Sequence, residues 1–98
     1  MALDKIRNIA FLSTYPPRGC GLATFTNDLV RELDKIDDIP NPKVIAVSDN
    51  DYNYSSRVIM ELEQHERESY TKTAERINDS DIDLLVIEHE YGIFGGEF

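Results

Sequence analysis

The sequence has a single cysteine, Cys20, and one thiol excludes an internal disulfide. No apolar run approaches the roughly 20 residues that a membrane-spanning helix needs. The first ten residues, MALDKIRNIA, also lack the long apolar segment of a secretory signal peptide. Because neither a disulfide framework nor an export signal is present, we expect a cytoplasmic protein without a transmembrane segment.

Positive charge is scarce as well. The chain has 10 Lys and Arg residues against 19 Asp and Glu residues, which gives a net charge of −9. Because surfaces that bind DNA or RNA are usually basic, this balance argues against a nucleic-acid partner. The charge is unevenly distributed: residues 1–35 carry five basic and four acidic residues, whereas residues 36–98 carry five and fifteen. An anion is therefore repelled least by the first third of the chain.

The first half of the chain has the pattern of a βαβ unit. Residues 8–13 (NIAFLS) and 43–48 (KVIAVS) are nearly continuous apolar runs, typical of strands buried on both faces of a parallel sheet. Between them, apolar residues recur at positions 22, 25, 29, 30, 33 and 36, which form one stripe of a helix. Pro40 and Pro42 prevent the helix from continuing into the second strand.

The second half is less regular. Residues 58–62 suggest a short third strand, but their connection from the second is shorter than a parallel crossover normally needs. We therefore expect an antiparallel edge strand or merely extended chain. Ser69 is the expected N-cap of a second helix with an apolar stripe at Tyr70, Ala74 and Ile77. Residues 83–88 (DLLVIE) predict a strongly apolar buried strand. Because no helix pattern follows that strand, we expect a fragment of a larger doubly wound α/β domain.

The segment between the first strand and the first helix, STYPPRGCG, has the composition of an anion-binding loop. Gly19 and Gly21 allow a ligand to approach the backbone amides at the start of the helix, where unpaired N–H groups and the helix dipole favour negative charge. Arg18 could add a bidentate partner for a phosphate. The spacing meets neither the dinucleotide nor the P-loop fingerprint, and a Pro/Gly-rich turn without a ligand remains the alternative. We interpret Cys20 as a structural thiol, because no His or second Cys lies nearby in the sequence.

A second polar loop, EHEYGIFGGE, follows the last predicted strand. His89 comes directly after the strand and should project at the same carboxyl edge of the sheet as the first loop. There it could donate hydrogen bonds to sugar hydroxyls or phosphate oxygens, or relay protons. A loop histidine without a role is the alternative. Its neighbours Glu88 and Glu90 do not complete the spacing of a zinc site, so we expect no metal.

The two loops together resemble a known family. STYPPRGCGLATFTNDLVREL is similar to the first strand, glycine-rich loop and helix of the retaining glycosyltransferases of family 4, which have the GT-B fold. DLLVIEHEYGIFGGE is similar to the segment of these enzymes that contains a His-Glu pair. The resemblance spans the whole chain, more loosely over residues 49–68.

The resemblance implies an α/β, Rossmann-like fold with a mostly parallel sheet and flanking helices. Residues 1–98 would be part of the N-terminal domain, with the second, nucleotide-sugar-binding domain absent from this chain. The enzyme would move a hexose from a nucleotide sugar, such as a GDP- or UDP-hexose, to a sugar acceptor with retention of configuration. It would need no metal or other cofactor. The chain alone would be inactive and open to self-association.

The resemblance also implies roles for particular residues. Gly19, Cys20 and Gly21 would approach the donor diphosphate. Cys20 stands where the family commonly has the first of two adjacent glycines, so a side chain is present where the family has none. His89 would lie near the transferred sugar with Glu90 beside it, and we expect these two residues to be catalytic.

Two other classes of protein fit parts of the pattern. One is a non-catalytic flavodoxin-like or receiver-like module that binds a phosphate or nucleotide. The receiver variant is disfavoured because the first strand leads into Tyr15 and two prolines rather than into an acidic cluster. The other is a different enzyme with a doubly wound sheet and a phosphorylated ligand, which the loop after residue 90 fits less well.

Overall fold

A computed structural model describes residues 7–88 of the chain. This part of the chain is an α/β fold with a four-stranded, all-parallel sheet and two helices. In chain order the elements are β1 (Ile9–Ser13), α1 (Gly21–Leu33), β2 (Lys43–Ser48), β3 (Val58–Glu63), α2 (Arg67–Asn78) and β4 (Leu84–Ile87). The strand order in the sheet is β3-β2-β1-β4, which is the order of the first four strands of a Rossmann-like fold. The predicted fold class is thus confirmed. Neither helix of residues 7–88 has the length and apolar character to cross a membrane.

One cluster of core residues lies between α1 and the centre of the sheet. β2 is buried from Val44 to Ser48, as expected for a strand with neighbours on both sides. Phe11 pairs with Val44 on one side and with Val86 on the other, so these side chains share one face of the sheet. Val30 of α1 is fully buried in the same cluster. Leu29, Val30 and Leu33 of the predicted stripe therefore cover this face, whereas Phe25 is 55% exposed.

The connection from β2 to β3 differs from the prediction. β3 is neither antiparallel nor merely extended: it pairs with β2 in parallel, with an irregular register near Val44. Residues 49–57 make the crossover without a helix. An extended chain gains about 3.3 Å per residue, so this connection can span about 30 Å, more than the ~20 Å length of the strand it must retrace. Tyr54 packs against the core cluster and anchors the crossover.

Both helices end or begin at residues other than those expected. α1 ends at Leu33, before Ile36, the last position of the predicted stripe, and Ile36 is 46% exposed. α2 begins at Arg67 with Glu66 as its N-cap. Ser69 lies inside the first turn, where its Oγ accepts a hydrogen bond from the Glu63 backbone N–H at 2.8 Å. The N-cap prediction was wrong because Ser69 binds the end of β3 instead of its own helix.

β4 is less buried than its apolar sequence predicts. Leu84 and Ile87 are 37% and 56% exposed. Within residues 7–88, β4 lies at the edge of the sheet and pairs only with β1. The expectation of a strand buried on both faces is therefore wrong for the described part of the chain.

Candidate functional site

The loop after β1 is fixed at both ends by buried polar contacts. Thr14 and Tyr15 are 0% and 4% exposed. The Tyr15 hydroxyl donates to Asn27 Oδ1 of α1 at 2.9 Å, and Thr14 Oγ1 lies 3.1 Å from Cys20 Sγ. The Arg18 N–H donates to the Tyr15 carbonyl at 3.1 Å, closing a turn around the cis peptide bond between Pro16 and Pro17. These contacts hold the loop against the start of the helix that follows it.

The N-terminus of α1 is capped by sulfur and otherwise open. Cys20 is the N-cap in extended conformation, and its Sγ accepts from the Ala23 N–H at 3.4 Å. The backbone N–H groups of Gly21 and Leu22 have no acceptor within residues 7–88. The first turn carries no acidic residue. The positive end of the helix dipole is therefore available to an anion.

The two glycines of this loop are not required by local packing. Gly19 and Gly21 are exposed. Apart from the adjacent residues and the backbone of its own helix turn, a Cβ at either position would meet no heavy atom of the described residues within 4 Å. Neither backbone has the positive φ that favours glycine. The fold of residues 7–88 would thus tolerate a side chain at both positions. What the missing side chains do provide is access to the backbone amides.

The side-chain contacts of Arg18 lie away from the helix N-terminus. Its Nη1 donates to the Val47 carbonyl at 3.0 Å and to Gln64 Oε1 at 2.7 Å. Its Nη2 is 3.6 Å from Asp49 Oδ2, and the side chain is only 13% exposed. These partners lie at the carboxyl ends of β2 and β3. Arg18 therefore fastens the loop to the neighbouring strands, and its predicted contact with a phosphate stays a prediction.

The carboxyl ends of β1 and β4 are side by side. The Glu88 N–H donates to the Leu12 carbonyl at 3.0 Å, so the residue after β4 sits beside the end of β1. The chain proceeds from β1 towards β3 on one side and returns to β4 on the other, which makes this the switch point of the sheet. Ligands of open α/β sheets bind at such switch points. His89 and Glu90 follow directly but lie outside the described residues, so their place in the site stays a prediction.

The β2–β3 half of the same edge is acidic. A cavity of about 210 Å³ is lined there by Ser48, Asp49, Asn50, Asp51, Glu63, His65 and Glu66. Burial, followed by the charges of neighbouring acidic residues, raises the pKa of Glu63. A hydrogen bond from the Tyr52 hydroxyl lowers the pKa of Asp49. Within residues 7–88, no group of three or more His, Cys, Asp and Glu side chains could hold a metal ion. This half of the edge repels anions.

Several polar residues of the site were not predicted from the sequence. Thr14, Tyr15 and Asn27 fix the loop, and Gln64 receives the Arg18 guanidinium. Gln64 is 8% exposed although it lies in the charged stretch EQHERE, where no pattern indicates burial. The pairing of Tyr15 with Asn27 could have been suspected, because position 27 lies within two turns of the start of the predicted helix.

We compared the chain with protein-family models, curated proteins and solved structures, and found no match. The assignment of a function therefore rests on the geometry of the β1–α1 loop and on the resemblance of the two loop segments.

Proposed function

We propose that the chain is the N-terminal part of a retaining glycosyltransferase of family 4, which moves a hexose from a nucleotide sugar to an acceptor. In this proposal the β1–α1 loop approaches the donor diphosphate with its backbone at Gly19, Cys20 and Gly21, although the Cys20 N–H itself donates to the Arg18 carbonyl at 3.2 Å. His89 and Glu90 serve the transferred sugar.

One observation carries the proposal: an open, glycine-flanked helix N-terminus lies at the switch point of a parallel sheet. The N–H groups of Gly21 and Leu22 are without acceptors in residues 7–88, and no acidic residue lies in the first helical turn. Phosphates bind such termini because the N–H groups point at the ligand and the dipole favours negative charge. The resemblance of the two loop segments supports the step from phosphate to nucleotide sugar.

The cysteine that replaces a family glycine is compatible with this role. Cys20 is half-buried, and its Sγ contacts the Ala23 N–H and the Thr14 hydroxyl. The thiol is thus engaged with the helix and with the preceding loop. The exposed backbone on both sides of it, at Gly19 and Gly21, keeps the approach open for an anion.

An NMR titration of the isotope-labelled 98-residue chain with UDP and with GDP tests whether the N-terminus of α1 binds phosphate. We expect the largest amide shifts at residues 19–23. Gly21→Val should abolish them while leaving the fold intact, because a Cβ at this position meets no described atom. His65→Ala is the matched control, since His65 is exposed on the acidic half of the edge, and it should change nothing. Equal effects of the two substitutions would refute the assignment.

An activity assay separates the enzyme from a binding module. We expect no transfer from radiolabelled UDP- or GDP-hexose by the 98-residue chain alone, because the resemblance assigns most contacts with the donor to a second domain. Turnover by the isolated chain would contradict this expectation. Tight binding of FMN, with no binding of UDP or GDP, by the isolated chain would favour the flavodoxin-like module instead.

A further inference from the structure

A second concave surface lies at the opposite edge of the sheet. This cavity of about 270 Å³ is lined by Asn41, Lys43, Ser55, Ser56 and Arg57. Lys43 begins β2, and residues 55–57 end the crossover just before β3. Since the strands are parallel, the cavity lies at their amino ends. β2 has six residues, so about 20 Å of strand separates it from the β1–α1 loop edge.

Among residues 7–88, the lining of this cavity has two positively charged side chains and no negatively charged one. In a chain with a net charge of −9, such a surface is unusual. Arg57 is held in place: its Nη1 donates to the Pro42 carbonyl at 2.8 Å and to Asp34 Oδ1 at 3.1 Å, and its Nη2 donates to Asp34 Oδ2. The guanidinium is therefore held rigidly in the wall of the cavity, with its charge paired to that of Asp34.

The other lining side chains are donors that have no hydrogen-bond partner in the described part of the chain. The side chains of Asn41, Lys43, Ser55 and Ser56 make no hydrogen bond or ion pair with residues 7–88. An ammonium group, two hydroxyls and an amide can all donate hydrogen bonds. Their convergence beside a fixed guanidinium matches an oxyanion, which accepts several hydrogen bonds and pairs with cations.

The charges around Asp34, next to the cavity, also favour a bound anion. Asp34 does not line the cavity, but the hydrogen bond from Arg57 and the charges of Arg57, Lys43 and Arg31 together lower its pKa. Three cations thus act on one carboxylate, and one of them, Lys43, is exposed and makes no ion pair among the described residues. The ammonium group of Lys43 is therefore the charge that an anion on the cavity side would meet.

We propose that the cavity formed by Asn41, Lys43, Ser55, Ser56 and Arg57 binds a phosphate-sized oxyanion, either free or as a monoester. A water molecule occupies about 30 Å³ of liquid volume, so the cavity has room for a phosphate together with a small organic group. The site is independent of the proposed donor site, because it lies at the other edge of the sheet.

The test is an NMR titration of the isotope-labelled 98-residue chain with inorganic phosphate at constant ionic strength, with chloride as the reference anion. We expect saturable amide shifts at residues 43 and 55–57. Lys43→Gln should raise the dissociation constant about fivefold, because it removes a charge-assisted hydrogen bond. The double substitution Ser55→Ala and Ser56→Ala should also raise it. Lys35→Gln is the matched control, since Lys35 is an exposed lysine that pairs with Glu32, and it should have no effect.

The same spectra distinguish this site from the donor site. Shifts at residues 19–23 alone would overturn the inference of a second anion site, but they would support phosphate binding at the N-terminus of α1. Shifts that do not saturate, or that Lys43→Gln leaves unchanged, would also overturn it. Repeating the titration with phenyl phosphate identifies the source of the anion: tighter binding than that of inorganic phosphate supports a monoester, and equal or weaker binding supports free phosphate.

Discussion

The two helices begin at the same edge of the sheet but in opposite electrostatic surroundings. α1 starts between exposed glycines, with Cys20 as its cap and no acidic residue in its first turn. α2 starts after Glu63, has Glu66 as its N-cap without a side-chain cap bond, and carries Glu68 in its first turn. Any helix N-terminus attracts anions, so the dipole alone does not distinguish the two. The surrounding charges do, and of the two helices they leave only α1 suited to a phosphate.

The two helices also differ in how much they bury. Ala23, Thr26 and Val30 of α1 are fully buried, and the Thr26 hydroxyl lies 2.8 Å from the Ser13 hydroxyl in the core. α2 buries only Thr73 among its residues. The helix that presents the candidate site is thus the more firmly held of the two, which is what a preorganised site requires.

Substitutions in the buried faces of the helices should show this difference most strongly. We expect Val30→Ala to lower the free energy of unfolding by about 2–3 kcal/mol, because it removes a fully buried side chain and leaves a cavity. Ile77→Ala in α2 should cost about 1 kcal/mol, since Ile77 is only half-buried. Urea denaturation measures both values. Equal losses would show that α2 supports the sheet as firmly as α1.

The stability of the fold should depend on pH with opposite signs at Asp34, which caps the end of α1, and at Glu63, which ends β3. The Arg57 hydrogen bond lowers the pKa of Asp34, so this carboxylate stabilises the fold above its ordinary value of 3.8, and the contribution is lost as the pH falls through its lowered pKa. Burial raises the pKa of Glu63, so its favourable contribution is complete below 4.5 and is lost as the pH rises through its raised pKa. At pH 7, therefore, Asp34→Asn should destabilise the protein and Glu63→Gln should stabilise it.

Thermal denaturation of both variants between pH 3 and pH 7 measures this contrast. The difference between Glu63→Gln and the unsubstituted chain should vanish below about pH 4.5, where both side chains at position 63 are neutral. A stabilising effect of Glu63→Gln that persists at pH 3 would show that packing, and not charge, is responsible.

Changes at the two N-caps should have the smallest effects. Glu66→Asp should stabilise α2 by about 0.5 kcal/mol, because a shorter carboxylate can accept from the backbone N–H groups that now lack a side-chain cap. Cys20→Ala should cost about 0.5 kcal/mol, because the sulfur cap at 3.4 Å is weak. Melting temperatures report both changes. A loss of several kcal/mol on Cys20→Ala would instead indicate that the thiol holds the whole loop.

The residues that were predicted correctly belong to segments with a strong local pattern. β1 and β2 are found where continuous apolar runs predicted them. α1 lies where the apolar stripe predicted a helix, although Phe25 and Ile36 of that stripe are exposed. The position of β3 was predicted correctly, but its parallel direction was not. The crossover depends on the packing of Tyr54 against a cluster made by distant strands, which no local pattern indicates. The second helix was placed, but its start was not, because Ser69 binds a backbone group of β3.

The residues of the candidate site also divide into those that local sequence indicates and those that depend on distant contacts. Gly19, Cys20 and Gly21 could be identified from local sequence, because two glycines between an apolar run and a helix stripe are typical of a strand-to-helix turn with accessible amides. Arg18 was identified as a cation near this loop, but its partners Val47, Asp49 and Gln64 lie far away in sequence. No periodicity within a few residues can indicate which strand end a long side chain will contact.

The sequence by itself determined the βαβ unit, the start of α1 at a glycine-rich loop and the concentration of acidic residues after position 35. These features depend on backbone preferences and on side-chain spacing within one or two turns. The tertiary structure alone decided that β3 is parallel, that β4 lies beside β1 and that Arg18 binds the β2–β3 end of the sheet. Those outcomes depend on contacts between segments tens of residues apart, which form only when the strands have taken their order in the sheet.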